Sequence, residues 1–153
     1  MRIALIMLAA GNSRRFGGNK LLYEIDGNPM YRYILERLIA VAGAGGQGKE
    51  VSSCVLETGS LKNIKQEMTV TVVTQYEEIE EEARALGVPV YINPHPDEGI
   101  SSSLKIGLKA NLDADACLFT VSDQPWLTAG TIRQLITLLE TTGKGIACVS
   151  SEG

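Results

Sequence analysis

The chain has 153 residues, 44% of them hydrophobic and 21% charged, with a formal net charge of −4. That length suits one domain with a sizeable core, and the composition is that of an ordinary globular protein. The acidic balance argues against general binding to nucleic acid or to a membrane surface, both of which favour basic proteins. No apolar run reaches the length of a membrane span. Residues 1–8 lead into no cleavage-site pattern, so no signal peptide is expected. Three cysteines without a CxxC spacing offer neither a disulfide framework nor a zinc site, and the expected setting is a reducing cytoplasm. Cys117 and Cys148 fall in apolar runs and are expected to be buried.

Residues 3–8, IALIML, show no period-2 alternation and read as a strand buried on both faces, as in a parallel sheet. A loop of small residues, glycines and cations follows, 9–20. Residues 21–25 form a short apolar piece closed by the turn signal Asp26-Gly27-Asn28. Pro29 suits a helix start, and Tyr31, Ile34, Leu35, Leu38 and Val41 recur at helical spacing over 29–42. The glycines of 43–48 are expected to end that helix. Residues 53–56 read as a short strand and 61–66 as a short helix. Residues 69–74 are β-branched and read as the second main strand.

Ile79, Ala83 and Leu86 predict a helix over 76–86, stopped by Gly87, with the glutamates at 77, 78, 80, 81 and 82 forming a solvated face. Residues 88–92 are the third strand and 93–99 a loop. Ser101 to Ser103 fit a helix N-terminus, with Leu104, Leu108 and Leu112 continuing the helix. Residues 116–121 are another buried strand. Thr128 caps a helix carrying Ile132, Leu135, Ile136 and Leu139, and 145–150 read as a final strand. Strands alternating with helices predict an α/β domain with a mostly parallel sheet, whose ligands bind beyond the carboxyl ends of the strands. Three loops meet that description: 9–20, 93–103 and 122–126.

The first loop lacks both GxGxxG and GxxxxGK[ST], so it is neither the dinucleotide fingerprint nor a Walker loop. Its glycines let backbone N–H groups approach an anion, and Arg14, Arg15 and Lys20 supply cations within seven residues. Asp123, at a strand end, is placed to hold a divalent cation, although an aspartate there also suits a turn. The lone histidine, His95, sits between two prolines and reads as a loop residue. Without a histidine beside a nucleophile, a hydrolytic triad is not expected.

The first loop matches LAAGxSxRxGxxK, and in this it resembles nucleotidyltransferases that activate a phosphorylated substrate with a nucleoside triphosphate. The second loop, NPHPDEGISSSLKIGL, together with the Ser122-Asp123-Gln124-Pro125 turn, is similar to the molybdenum cofactor cytidylyltransferases, the MocA-like and MobA-like enzymes. The resemblance implies a Rossmann-like, three-layer, GT-A-like fold. It puts Leu8, Ala9, Ala10 and Gly11 near base and ribose, with Asn12 and Arg14 in the same nucleotide-binding stretch. Ser13, Arg15 and Lys20 meet the phosphates, Asp123 holds Mg2+, and Gly99 with Ser102 or Ser103 borders the nucleoside. Arg15, Lys20 and Asp123 are the implied catalytic residues. The alanine pair Ala9-Ala10, where guanylyltransferases of the family read LAGG, implies CTP.

The implied reaction moves CMP from CTP to the terminal phosphate of molybdopterin, with a molybdenum hydroxylase apoenzyme as a further partner. Alternative acceptors are a sugar phosphate or a polyol phosphate. A non-catalytic nucleotide-binding or cofactor-binding accessory module and a flavodoxin-like domain without transferase function are the other readings. Two departures from the family pattern are expected: an insertion or disordered loop over 43–67, and a C-terminal end that stops short of the acceptor-binding part.

Overall fold

A computed structural model describes residues 1–13, 15–46, 67–143, 147 and 148, with the backbone alone for 44–46. In chain order the elements are β1 (Arg2–Ala9), a 3-10 turn (Lys20–Leu22), β2 (Glu24–Ile25), β3 (Asn28–Pro29), α1 (Met30–Gly46), β4 (Glu67–Thr74), α2 (Glu77–Ala85), β5 (Val90–Ile92), a second 3-10 turn (Pro96–Glu98), α3 (Ile100–Lys109), β6 (Ala116–Val121) and α4 (Ala129–Thr142). β5, β4, β1 and β6 lie side by side in that order, and every neighbouring pair is parallel.

The lack of alternation in β1 follows from what covers it. Ile3, Leu5, Met7 and Ala9 enter a core with α1, α2 and α4, through Ile34, Leu35, Leu38, Ile79, Ala83, Ile132 and Ile136. Ala4, Ile6 and Leu8 enter a smaller core with Val73, against which Leu104 and Ile106 of α3 pack. Each large apolar side chain buried this way contributes ~1.5–3 kcal/mol. α3 reaches the sheet through its smallest residue. A Cβ on Gly107 would lie 2.8 Å from Ile6 Cγ2 and 3.4 Å from the Phe119 ring.

Register sets the place of the loops. Leu8 pairs with both Val73 and Val121, and Thr74 pairs with Ala9 and Ile92. The carboxyl ends of all four strands therefore stand level, and the segments leaving them share one edge. The chain runs outward from β1 through β4 to β5, then returns to β6 on the other side of β1. That reversal is a topological switch point, where α/β sheets open a crevice.

Several expectations shift. α1 continues through Gly46 instead of ending at Ala42, and it starts at Met30 because Pro29 closes the small β2–β3 hairpin. That hairpin turns at Asp26 and Gly27, with φ of 50° and 80°, the left-handed pair that a two-residue turn requires. Residues 21–25 divide between a 3-10 turn and β2, and β5 starts at Val90. α3 ends at Lys109, so Leu112 lies beyond it at 75% exposure. Leu108 is also exposed, and the buried face of α3 is Ser102, Ser103 and Gly107. Cys117 is half-buried, and burial pushes its thiol up; Cys148 is exposed, against expectation. Ala147 and Cys148 are in no strand. The expected strand at 53–56, the helix at 61–66, most of the 43–67 insertion and the remainder of the 145–150 strand lie outside the described residues. Among the described residues, no helix is long and apolar enough to cross a membrane.

Glu82 departs from the solvated acidic face. It accepts from Arg32 Nε at 2.6 Å and from the Tyr31 hydroxyl, tying α2 to α1. Burial opposes its charge, but the hydrogen bonds from Arg32 and Tyr31 outweigh that and hold its carboxyl below the usual range.

Candidate active site

A cleft of about 570 Å³ opens at the carboxyl ends of the strands, within the range of small-molecule sites. The first loop, the loop after β5 and the turn after β6 all line it.

The first loop is folded by its own polar groups. Ser13 takes the left-handed conformation, φ 48°, which a serine adopts only when its surroundings enforce it. Its carbonyl accepts from Phe16 N at 2.9 Å, and its hydroxyl accepts from Lys20 N at 3.2 Å. Asn19 Oδ1 accepts from Leu21 N and starts the 3-10 turn that carries Lys20. The strand next door braces the other half. Thr74 Oγ1 donates to Ala9 O at 2.9 Å, Gln75 Nε2 to Ala10 O at 2.9 Å, and the Tyr76 hydroxyl to Gly11 O at 2.5 Å. Burial holds the Tyr76 hydroxyl above its ordinary range, so it remains a donor.

At the β6 end, Lys20 Nζ meets Asp123 Oδ2 at 3.4 Å. Ser122 fixes the turn by donating from both its N and its hydroxyl to Leu8 O, at 3.1 and 2.9 Å, and Arg37 donates to Pro125 O from α1. The Lys20 and Asp123 side chains are 39% and 46% exposed. An ion pair so exposed is worth ~0–1 kcal/mol. It is too weak to serve as a staple, and an arriving phosphate or cation can replace either partner.

At the β5 end the groups are neutral and buried. Asn93 is 2% exposed. Its Nδ2 donates to the Ser102 and Ser103 hydroxyls, each at 2.8 Å, and its Oδ1 accepts from His95 N at 2.8 Å. Gly99 stands at φ 82°, ψ −169°, a conformation essentially restricted to glycine, and its absent side chain leaves the mouth of α3 open. A bridge joins this loop to the first. Asn12 Nδ2 donates to Asp97 Oδ1 at 2.8 Å, while Asn12 Oδ1 accepts from Gln75.

Of the expected site residues, Leu8, Ala10, Gly11, Asn12, Ser13, Arg15, Lys20, Gly99, Ser103 and Asp123 line the cleft. Two expected ones do not. Ala9 is 1% exposed with its methyl in the larger core, and it contributes only its carbonyl. Ser102 is turned inward, its one proton shared between Gly99 O and His95 O, so Ser103 is the serine of the cleft. Arg14 lies outside the described residues. Gln75, Tyr76, Asp97 and Ile100 were not singled out from the sequence. The first two directly follow a strand, which is the signal that could have found them.

A family model for the MobA-like NTP transferase domain matches residues 5–153. The chain belongs to this family. A protein of Thermococcus gammatolerans named "Probable molybdenum cofactor guanylyltransferase" is 56% identical over 32 residues, 21% of this chain and 17% of that protein. One of the same name from Thermococcus sibiricus is 37% identical over 57 residues, 37% of this chain and 26% of that protein. The matched stretches therefore span about a quarter or less of these curated relatives' length.

Among solved structures, CMP:2-keto-3-deoxy-manno-octonic acid synthetase complexed with CTP has a TM-score of 0.68 at 19% identity, over 94% of this chain and 49% of that one. Molybdopterin-guanine dinucleotide biosynthesis protein A from Archaeoglobus fulgidus has a TM-score of 0.55 at 16% identity, over 94% of this chain and 57% of that one. At these identities the likeness is one of fold, and it agrees with the α/β nucleotidyltransferase architecture expected from the sequence.

Proposed function

We propose that the chain binds a nucleoside triphosphate in this cleft and moves the nucleoside monophosphate to the terminal phosphate of molybdopterin, releasing pyrophosphate. The observation that carries the reading is the exposed Lys20–Asp123 pair at the switch point, beside Ser13 and Arg15. An acceptor phosphate oxygen attacks the α-phosphorus, and the bond to the β-phosphate oxygen breaks. The nucleophile is already an anion, so the chain's work is alignment and charge neutralisation rather than proton removal. Lys20 and Arg15 meet the triphosphate, and backbone N–H groups of the first loop add donors.

Asp123 would hold magnesium. Among the described residues no three His, Cys, Asp or Glu side chains gather into a metal cage. A single carboxylate completed by phosphates and waters is nonetheless magnesium's ordinary manner of binding. Bound there, the ion neutralises charge on the phosphates.

Two features bear on the base. Ala10 lines the cleft with a methyl where a glycine would leave room, which supports CTP; one methyl discriminates by ~1–3 kcal/mol. The curated relatives carry guanylyltransferase names, which supports GTP. We place the reaction in the cytoplasm, with a molybdenum hydroxylase apoenzyme as recipient of the product.

The test is pyrophosphate release by the 153-residue chain supplied with magnesium, a nucleoside triphosphate and molybdopterin. Release that depends on all three is expected. Nucleotide binding without release would overturn the catalytic reading in favour of a binding module.

A further inference from the structure

Consecutive side chains at the end of β4 hold consecutive carbonyls of the first loop. Thr74 Oγ1 donates to Ala9 O at 2.9 Å, Gln75 Nε2 to Ala10 O at 2.9 Å, and the Tyr76 hydroxyl to Gly11 O at 2.5 Å. Gln75 spends its second amide hydrogen on Asn12 Oδ1 at 2.8 Å. Ala10, Gly11 and Asn12 line the cleft, whereas Gln75 and Tyr76 stand behind them and do not.

Holding a carbonyl fixes what lies on the other side of its peptide. Among the described residues no peptide bond is cis, and in a trans peptide the N–H points opposite to the carbonyl of the preceding residue. The oxygens of Ala9, Ala10 and Gly11 are drawn toward the end of β4, so the N–H groups of Ala10, Gly11 and Asn12 face away from it. β1 lies between β4 and β6, and that direction leads toward the side where Ser122 and Asp123 line the cleft. Among the described residues these N–H groups make no hydrogen bond within the protein. Ala10 is only 5% exposed, and a backbone donor so enclosed calls for a partner. Nothing crowds the approach, since a Cβ on Gly11 would meet no atom within 4 Å.

We propose that Gln75 and Tyr76 are positioning residues for nucleotidyl transfer. By holding the carbonyls of Ala10 and Gly11, they aim the N–H groups of Gly11 and Asn12 at the phosphate chain. The inference rests on the nucleotide-binding reading above. Lys20 brings charge on a long side chain that is 39% exposed and free to change partners. The backbone donors bring a fixed direction instead. Donors set in place before the ligand arrives need no reorganisation when charge shifts among the phosphate oxygens.

The test is amide NMR of the full 153-residue chain titrated with the magnesium complexes of CTP and of GTP, alongside Tyr76→Phe and Gln75→Leu. Tyr76→Phe keeps the ring and removes only the hydroxyl. In the parent chain at saturation, the amide protons of Gly11 and Asn12 are expected to move downfield as they gain a phosphate acceptor. Each variant should bind the tighter of the two nucleotides about tenfold more weakly, the worth of one hydrogen bond. At saturation the downfield shift should shrink at the amide beside the released carbonyl, Asn12 in Tyr76→Phe and Gly11 in Gln75→Leu. A merely structural contact would lower the melting temperature and leave those saturation shifts intact, and that pattern overturns the inference. Gly11 and Asn12 amides that stay in place while a nucleotide binds the parent chain overturn it without any variant, and leave the nucleotide reading standing. Failure of both nucleotides to bind the parent chain overturns the nucleotide reading and this inference with it.

Discussion

At the β6 end of the cleft, Lys20 and Asp123 face each other across 3.4 Å with more than a third of each side chain exposed. At the β5 end, Asn93 is 2% exposed and spends both of its side-chain polar atoms on Ser102, Ser103 and the backbone of His95. The first arrangement contributes almost nothing to stability and leaves both charges able to change partners. The second is a buried, satisfied network whose loss leaves polar groups without partners. Chemistry sits where the bonds are weak and replaceable, and shape is set where they are buried. The two ends should therefore fail differently when altered.

The largest effect is expected at the charged end. Lys20→Ala should leave the melting temperature within a few degrees of the parent, because an exposed pair is worth ~0–1 kcal/mol. Turnover should nevertheless fall by about 10²–10³, the usual loss when one positioned charge or donor is removed. Thermal unfolding and pyrophosphate release, measured on one preparation, separate these effects. A variant that melts early and turns over normally would invert the contrast between the two ends.

The neutral end should show stability and binding lost together. Asn93→Ala leaves the buried hydroxyls of Ser102 and Ser103 short of a donor, at a cost of ~1–3 kcal/mol. For a chain of this size that is about 2–4 °C of melting temperature per kcal/mol, and nucleotide affinity should drop because Ser103 and Gly99 lose their seat. Gly107→Ala tests the same end through packing. Its new Cβ would meet Ile6 Cγ2 at 2.8 Å, so α3 has to shift. Overpacking of this kind costs ~1–3 kcal/mol, partly offset by ~1 kcal/mol from better helix propensity. Calorimetric unfolding with and without nucleotide measures both variants.

The smallest effect belongs to a site remote from either end. Glu82→Gln weakens the link of α2 to Arg32 and Tyr31 by ~1 kcal/mol at neutral pH, with turnover unchanged. The Glu82 carboxyl titrates below its unfolded value in the folded chain. Its contribution is therefore present above the unfolded value and is lost as pH falls through the lowered folded one. The stability gap between parent and variant should close in acid, and urea unfolding across that range would reveal a gap that stays open.

Much of the fold could be read from the sequence because it depends on one-dimensional signals. The uninterrupted apolar run of β1 announces helices on both faces, and Gly87, with φ 76°, stops α2 at the position the pattern indicates. α3 misled for a physical reason. Its leucines at 104, 108 and 112 suggest an apolar stripe; Leu104 does pack on the sheet, but Leu108 and Leu112 are exposed, and the helix comes closest at Gly107, where Ile6 leaves no room for a side chain. In the site, the charged end was legible because glycines and cations crowded into one loop after a strand point to an anion. Asp97 was not, since an acid in a loop rich in proline is most simply a turn residue. Its bridge to the first loop appears only when the fold brings Asn12, 85 positions away, within 2.8 Å. Gln75 and Tyr76 were hidden likewise, because they act on carbonyls of another segment.

Whether the first loop and the turn after β6 together hold a triphosphate is decided most directly by calorimetric titration of the chain with a magnesium–nucleoside triphosphate, repeated without magnesium and with Lys20→Ala. Saturable one-to-one binding is expected in the parent chain, weaker without the metal and weaker again without the lysine. Binding indifferent to both, or no heat of binding at all, would contradict a triphosphate site at Lys20 and Asp123.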